Sequence, residues 1–256
     1  MLETASLASG SSGNSYFVKN EEGVFIFDLG INVKRLKENL EEFGISISDV
    51  KAIFISHEHS DHISGLKTFV KYYPDIPIFI SLKTYRVIKD SMPAESFVFF
   101  DSNSTLKFKC FEVELPLKLH DAVEPVFFKV KTDDGIVSII TDFGFPNKEI
   151  IKAISESKVL FLESNYDERM LEEGRYPESL KQRIRSHTGH FSNCDSGRLL
   201  NLHVSEKLNY LILSHISENS NTYELAFKTV SKIIGKRGFK IITATQKKPA
   251  SLIKIS

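Results

Sequence analysis

Tryptophan is absent from the 256 residues, cysteine occurs twice and methionine three times. Cysteines as far apart as Cys110 and Cys194 make neither a disulfide framework nor a thiolate metal site, and packing is the role expected of both. Excess charge of either sign is also missing, since 33 basic side chains meet 33 acidic ones. Proteins that grip long nucleic acid non-specifically carry a basic surplus, because released counterions drive that binding; neutrality argues against a strong duplex binder but leaves room for a local basic patch. No run approaches the roughly 18 to 20 apolar residues needed to span a bilayer. Met1-Leu2-Glu3-Thr4 has neither the basic nor the apolar region of a signal peptide. A cytoplasmic protein with no membrane segment is expected, and there is no internal repeat, low-complexity run or evident linker.

What is present is a globular composition. Apolar residues make up 41% and phenylalanine alone contributes 20 side chains, so the core should be rich in Phe. The length suits a single domain spanning 1–256. Strand-length apolar runs recur at Thr4–Ala8, Ser15–Val18, Val24–Phe27, Ala52–Ile55, Ile78–Ile80, Cys110–Leu115, Val126–Val130, Ile136–Ile140, Val159–Leu162, Tyr210–Leu213 and Ile241–Thr243, punctuated by Gly, Asn and Asp. Helical spacing appears at Val33–Phe43, Ser64–Tyr72, Lys83–Asp90, Lys148–Ser155, Pro177–Ile184, Asp195–Val204 and Thr222–Ile234. Strands first, then alternation, then strand pairs near 105–140 suit an α/β protein in which two mixed sheets pack face to face with helices outside, an αββα sandwich.

The chemically telling segment is Ile53-Phe54-Ile55-Ser56-His57-Glu58-His59-Ser60-Asp61-His62. In extended chain alternate side chains point the same way, so His57 and His59 can converge on one ion. The chain then turns into a helical segment, and Asp61 and His62 can serve a second. Imidazole and carboxylate suit zinc, and also manganese or iron. Three histidines and an aspartate within six residues are hard to read as a mere surface cluster. Four donors cannot close two sites, so others must come from afar. His120, Asp142 and His215 each follow an apolar strand, as ligands on rigid strands should; taken singly, Asp142 is equally well a turn residue. Gly10-Ser11-Ser12-Gly13-Asn14 lacks the Lys of a phosphate loop and reads better as a tight hairpin whose serines or Asn14 line a cleft rim.

Together with Asp28 in Phe27-Asp28-Leu29-Gly30, these residues resemble the motif set of the metallo-β-lactamase superfamily. The likeness is closer to its WalJ/YycJ branch through Leu7–Asn14, His120-Asp121-Ala122-Val123-Glu124-Pro125, Glu163-Ser164-Asn165-Tyr166-Asp167, Gly174-Arg175-Tyr176-Pro177, Gly189-His190-Phe191-Ser192-Asn193 and His215-Ile216-Ser217. The resemblance implies a hydrolase with two divalent metal ions, zinc first and manganese second. It assigns His57, His59, Asp61, His62, His120, Asp142 and His215 as ligands, with a bridging hydroxide as nucleophile and Asp61 among the catalytic groups. Asp28 would support a ligand histidine rather than bind metal; the plainer alternative is a turn aspartate. Glu163 and His190 are similar to a pair in RNase Z, where the acid orients an imidazole facing the scissile phosphate; otherwise His190 is a loop residue capping the following helix. Asn165, Ser192, Asn193 and Arg175 would contact substrate.

The branch resemblance implies a phosphodiesterase or nuclease, a 5′-to-3′ exonuclease on DNA, acting on single strands or 5′ ends. The alternatives are hydrolysis of a small cyclic phosphodiester, lactone or thioester, favoured by the neutral charge, and a regulatory member that has lost catalysis. Arg169, Arg175, Lys181, Arg183 and Arg185, followed by His187, can form a phosphate-binding patch or, with Glu168, Glu172 and Glu178, a solvated helix face. Tyr166 and Tyr176 can stack on bases or pack on the domain.

Overall fold

The computed structural model describes residues 1–256, the side chain of Ser91 excepted. The first half runs β1 (Leu2–Ala8), β2 (Ser15–Asn20), β3 (Gly23–Phe27), α1 (Val33–Glu41), β4 (Val50–Phe54), α2 (Ser60–Ile63), α3 (Leu66–Tyr72), β5 (Ile78–Ser81), α4 (Leu82–Ile88), β6 (Phe97–Phe100), β7 (Thr105–Lys107) and β8 (Phe111–Glu114). The second runs β9 (Phe128–Thr132), β10 (Gly135–Ile140), α5 (Lys148–Glu156), β11 (Val159–Glu163), α6 (Glu168–Glu173), α7 (Glu178–Arg185), α8 (Asn193–His203), β12 (Tyr210–Ser214), α9 (Tyr223–Ile234), β13 (Lys240–Thr243) and β14 (Ile253–Ile255).

Two seven-stranded sheets result, ordered β14-β1-β2-β3-β4-β5-β6 and β13-β12-β11-β10-β9-β8-β7. Each is mixed in the same way: β1, β2 and β3 are antiparallel neighbours, and β3 through β6 run parallel. In the other sheet β7 through β10 are antiparallel and β10 through β13 parallel. The inner parallel strands, β3, β4, β11 and β12 among them, are largely buried on both faces and read as near-continuous apolar runs, whereas the edge strands β6 and β13 are partly exposed. Along β3 and β4 the two faces separate with period two: Phe25, Phe27, Ala52 and Phe54 enter the layer between the sheets, while Val24, Ile26 and Ile53 face the helices.

The inter-sheet layer is built from phenylalanine, as the composition leads one to expect. Phe27 lies 5.1 Å from Phe54 and 5.0 Å from Phe128 of the opposite sheet, and Phe54 stacks on Phe79 at 4.8 Å. Leu36, Leu40, Leu66 and Phe69 of α1 and α3 cover the outside of the first sheet. Ile150 and Ile154 of α5, Leu199 and Leu200 of α8, and Ala226 and Val230 of α9 cover the second. This is the expected αββα order. Helix starts are set by side chains that accept the otherwise orphaned first-turn N–H groups: Asn32 for α1, Asn147 for α5, Ser192 for α8 and Thr222 for α9. Periodicity in the sequence does not mark β6, β7, β14 or α6, and most expected ends shift by one or two residues, as at β8 and β9.

Candidate metal centre

Parallel strands end together, and the side chains singled out in the sequence stand just past those ends in both sheets. Asp28 follows β3, the His57–His62 segment follows β4, Asp142 follows β10, Glu163 closes β11 and His215 follows β12. Three of these positions have left-handed backbone: Asp28 at φ 60°, Asp142 at φ 57° and His215 at φ 54°. Residues other than glycine rarely adopt it, and at roughly 1–3 kcal/mol each such conformations persist where the surroundings over-determine them. Here each turn brings its side chain from a strand end to His62 or to the carboxylate beside it.

Two groups of donors form there. His57, His59 and His120 offer atoms within 4.8 Å of one another, and so do Asp61, His62, Asp142 and His215. In the first group His59 Nδ1 is 3.2 Å from both His57 Nε2 and His120 Nε2. In the second, His62 Nε2 is 3.3 Å from Asp61 Oδ2 and 3.2 Å from Asp142 Oδ2, and His215 Nε2 is 3.2 Å from Asp61 Oδ2 and 3.3 Å from Asp142 Oδ1. Two nitrogens held about 2.0–2.1 Å from one zinc ion at a tetrahedral angle stand about 3.4 Å apart, so these spacings are of the size that a coordination shell requires. Asp142 touches both groups, because its Oδ1 is also 3.9 Å from His120 Nε2.

The outward nitrogens are engaged in the way that leaves the inward ones free. His57 Nδ1 meets Ser56 Oγ at 2.8 Å, His120 Nδ1 meets the Gly189 carbonyl at 3.2 Å, and His62 Nδ1 meets Asp28 Oδ2 at 2.7 Å. Asp28 is itself fixed by the Ser56 amide at 2.8 Å and hydroxyl at 2.9 Å. His215 Nδ1 faces Glu163 Oε1 at 3.3 Å, which leaves Nε2 turned toward Asp61 and Asp142. Such outer partners fix tautomer and ring orientation.

The electrostatics fit cations. Burial pushes His57 well down and lowers His120 to about 4, leaving those two imidazoles neutral. Burial opposes ionisation of Asp142, but His215, His62 and Lys118 outweigh it and hold the carboxyl well below the usual range. Burial also works against charge on His215, yet Asp142, Asp61 and Glu163 raise it to about 10. The field that draws a proton onto His215 favours any positive charge between these carboxylates. Asp142 Oδ2 is buried and makes no well-formed hydrogen bond, with His62 Nε2 at 3.2 Å and Lys118 Nζ at 4.0 Å as its polar neighbours, and a cation would satisfy this carboxylate oxygen. Both donor groups therefore fit divalent ions.

A third cluster joins Asp142, Glu163, His190 and His215. His190 Nδ1 is 2.7 Å from Glu163 Oε1. Burial raises the Glu163 carboxyl, but His190 outweighs it and the net shift is downward. His190 does not cap α8; Ser192 does, accepting from the Asp195 amide at 3.0 Å.

Other expected contacts lie elsewhere. Asn165 is buried, its amide 2.7 Å from the His215 carbonyl and 3.0 Å from His215 Nδ1. Ser192 and Asn193 are fully buried; Ser192 Oγ donates to Glu168, and Asn193 accepts from Ser164 and pairs with Asn221. All three face protein rather than an open surface. Arg175 is exposed and borders a cavity of about 340 Å³ with Tyr176, Asn219 and Ser220. Tyr166 is buried among Leu171 and Ile184, with Tyr176 packed on that cluster. The basic side chains are largely paired: Arg169 with Glu173, Arg183 with Asp121, Arg185 with Glu172, and buried Lys181 with the Glu172 carbonyl. Burial pushes the Cys194 thiol up to about 11, which leaves it no nucleophilic role near neutrality.

Some supporting roles differ from the expectation or were not visible in the sequence. Asn14 is buried rather than on a rim, and its amide donates to Asp61 Oδ2 at 3.0 Å. Ser9 Oγ accepts from the His215 amide at 2.7 Å, and buried Lys118 donates to the Thr141 carbonyl at 2.7 Å. Their signal was sequence proximity to the motifs, which gives no direction.

The model of the Metallo-beta-lactamase superfamily matches residues 8–185, and the chain belongs to that superfamily. It is 32% identical over 241 residues to the exodeoxyribonuclease YycJ of Bacillus anthracis, covering 93% of this chain and 91% of that one. It is 31% identical over 229 residues to the exodeoxyribonuclease WalJ of Streptococcus pneumoniae, covering 88% and 85%. The metallo-beta-lactamase fold protein YhfI of Bacillus subtilis superposes with a TM-score of 0.75 at 13% identity over 99% of this chain and 100% of that one.

Proposed function

We propose that this protein is a phosphodiesterase dependent on two divalent cations, and that it degrades single-stranded DNA as a 5′-to-3′ exonuclease. One observation carries the reading: seven nitrogen and oxygen donors converge in two groups joined by Asp142, beside a histidine held by a buried glutamate. The relatives YycJ and WalJ support the substrate class. His57, His59 and His120 would hold one cation and Asp61, His62 and His215 the other, with Asp142 within reach of both. Zinc suits the donors best and manganese is the alternative. When bound, such a pair acidifies water and neutralises charge developing on a phosphoryl group.

The chain's own residues do the rest. Glu163 accepts a hydrogen bond from His190 Nδ1, which fixes the ring and leaves Nε2 available to the leaving oxygen. Asn14 and His215 hold the Asp61 carboxylate, Asn165 holds the His215 loop, and Ser192 and Asn193 fix the segment carrying His190. These are positioning roles. The test is direct: purified protein supplied with manganese or zinc should degrade labelled single-stranded DNA, and His59→Ala should abolish it. Intact DNA after incubation with wild type and either metal would overturn the assignment, and a panel of bis-p-nitrophenyl phosphate, a lactone and a thioester would then separate phosphoryl from carbonyl chemistry.

A further inference from the structure

Beside the donor groups lies exposed apolar surface that neither cation binding nor the His190–Glu163 pair uses. Leu119 is 44% and Phe145 50% exposed. Leu119 directly precedes His120, and Phe145 stands three residues after Asp142. Isolated apolar side chains on a surface need no explanation, but these two are held together. Leu119 and Phe145 pair in an antiparallel bridge, and the Gly144 amide donates to the Leu119 carbonyl at 3.2 Å. Behind Phe145 lies the ring of His187, centroids 5.0 Å apart at 42°.

The placement is rigid relative to the centre. A Cβ on Gly144 would lie 2.1 Å from the Ser186 carbonyl oxygen and 2.6 Å from the His187 carbonyl carbon, so the Phe145 loop is pressed onto the 186–189 turn. That turn also supplies the Gly189 carbonyl that orients His120, and its Thr188 carbonyl accepts from the Asp121 amide at 3.0 Å.

We propose that Phe145, backed by His187 and flanked by Leu119, is a stacking platform for one unstacked nucleobase of a single strand whose neighbouring phosphate occupies the metal centre. The inference rests on the phosphodiesterase reading above. The electrostatic case for it is the neutral chain: with no basic surplus, and with Arg169, Arg183 and Arg185 already paired to carboxylates, phosphate contacts alone give a weak hold. Stacking supplies what they lack, and it tolerates any sequence because every base has a π-face.

The experiment compares hydrolysis of a 5′-phosphorylated oligonucleotide with versions carrying an abasic residue at successive positions, by wild type, Phe145→Ala and Phe145→Tyr. The expected result is a rise in KM of about 5- to 150-fold for Phe145→Ala on the intact strand. Wild type should suffer a matching rise at one abasic position, where Phe145→Ala adds nothing further, and Phe145→Tyr should restore most of the affinity. A KM for Phe145→Ala within about twofold of wild type overturns the platform, as do losses that simply multiply at every abasic position. Phe145 is half exposed, so thermal unfolding of the variant should match wild type and exclude misfolding as the cause. If metal-loaded wild type cleaves no DNA at all, the phosphodiesterase reading fails and the platform with it; cleavage indifferent to Phe145 sinks the platform alone.

Discussion

Asp28 shows how one side chain can matter without touching a cation. Its carboxylate takes the Ser56 amide and hydroxyl and the His62 ring, so it sets which His62 nitrogen faces inward. Asp28→Asn keeps a residue that tolerates left-handed backbone but replaces the acceptor facing His62 with an amide. Metal affinity should fall about 10–100-fold, read by chelator competition; unchanged affinity would remove Asp28 from the account. His190 sits differently, against Glu163 and outside both ligand groups. His190→Ala should therefore lower kcat by about 10²–10⁴-fold with metal content kept at the wild-type level, and loss of metal in that variant would make His190 a ligand instead. At this scale the sequence was most informative where residues cluster. Three histidines and an aspartate in six positions announce themselves, whereas Asn14, Ser9 and Lys118 are common residues whose role exists only once the chain has brought them close. Sequence also could not place Ser192, Asn193 and Asn165 on the buried side of their loops.

Among elements, the loops after β3 and β4 interlock, and Gly30 is the residue that permits it. A Cβ there would lie 1.7 Å from the Asp61 carbonyl oxygen and 2.6 Å from the Asn14 nitrogen. Backbone on both sides leaves nothing flexible to yield. Gly30→Ala should cost about 1–3 kcal/mol in a urea titration and also weaken metal binding, because Asp61 and His62 must move; a variant with wild-type stability would show that the loops are not so tightly joined. Strands buried on both faces were legible as apolar runs. By contrast β14 has only Ile253-Lys254-Ile255, and it is a strand because β1, at the other end of the sequence, pairs with it. Phe97–Phe100 lacks alternation and forms a half-exposed edge, and α6 is a six-residue turn set by the Asp167 cap. Pairing and capping of that kind depend on neighbours that no local window contains.

For the molecule as a whole, acid sensitivity should come partly from a charged network that joins β8, β9 and α5. Lys129 is 2% exposed and pairs with Glu114 at 3.1 Å and with Glu156. Burial raises both carboxyls, but Lys131 and Lys129 beside Glu114, and Lys129 beside Glu156, outweigh it. Folded-state values thus lie below the unfolded one, so this contribution is present at neutral pH and is lost as pH falls through the folded values. Lys129→Met should flatten the decline of the urea midpoint between neutral pH and about pH 3, and a decline parallel to wild type would assign the sensitivity elsewhere. The claim on which everything else depends is the pairing of cations across the two sheets. It is tested most directly by crystals grown with zinc or manganese and measured at the metal's absorption edge. Two anomalous peaks about 3.5–4 Å apart are expected, one against His57, His59 and His120, the other against Asp61, His62 and His215, with Asp142 touching both. A single peak, or two that leave His120, Asp142 or His215 unligated, would contradict it.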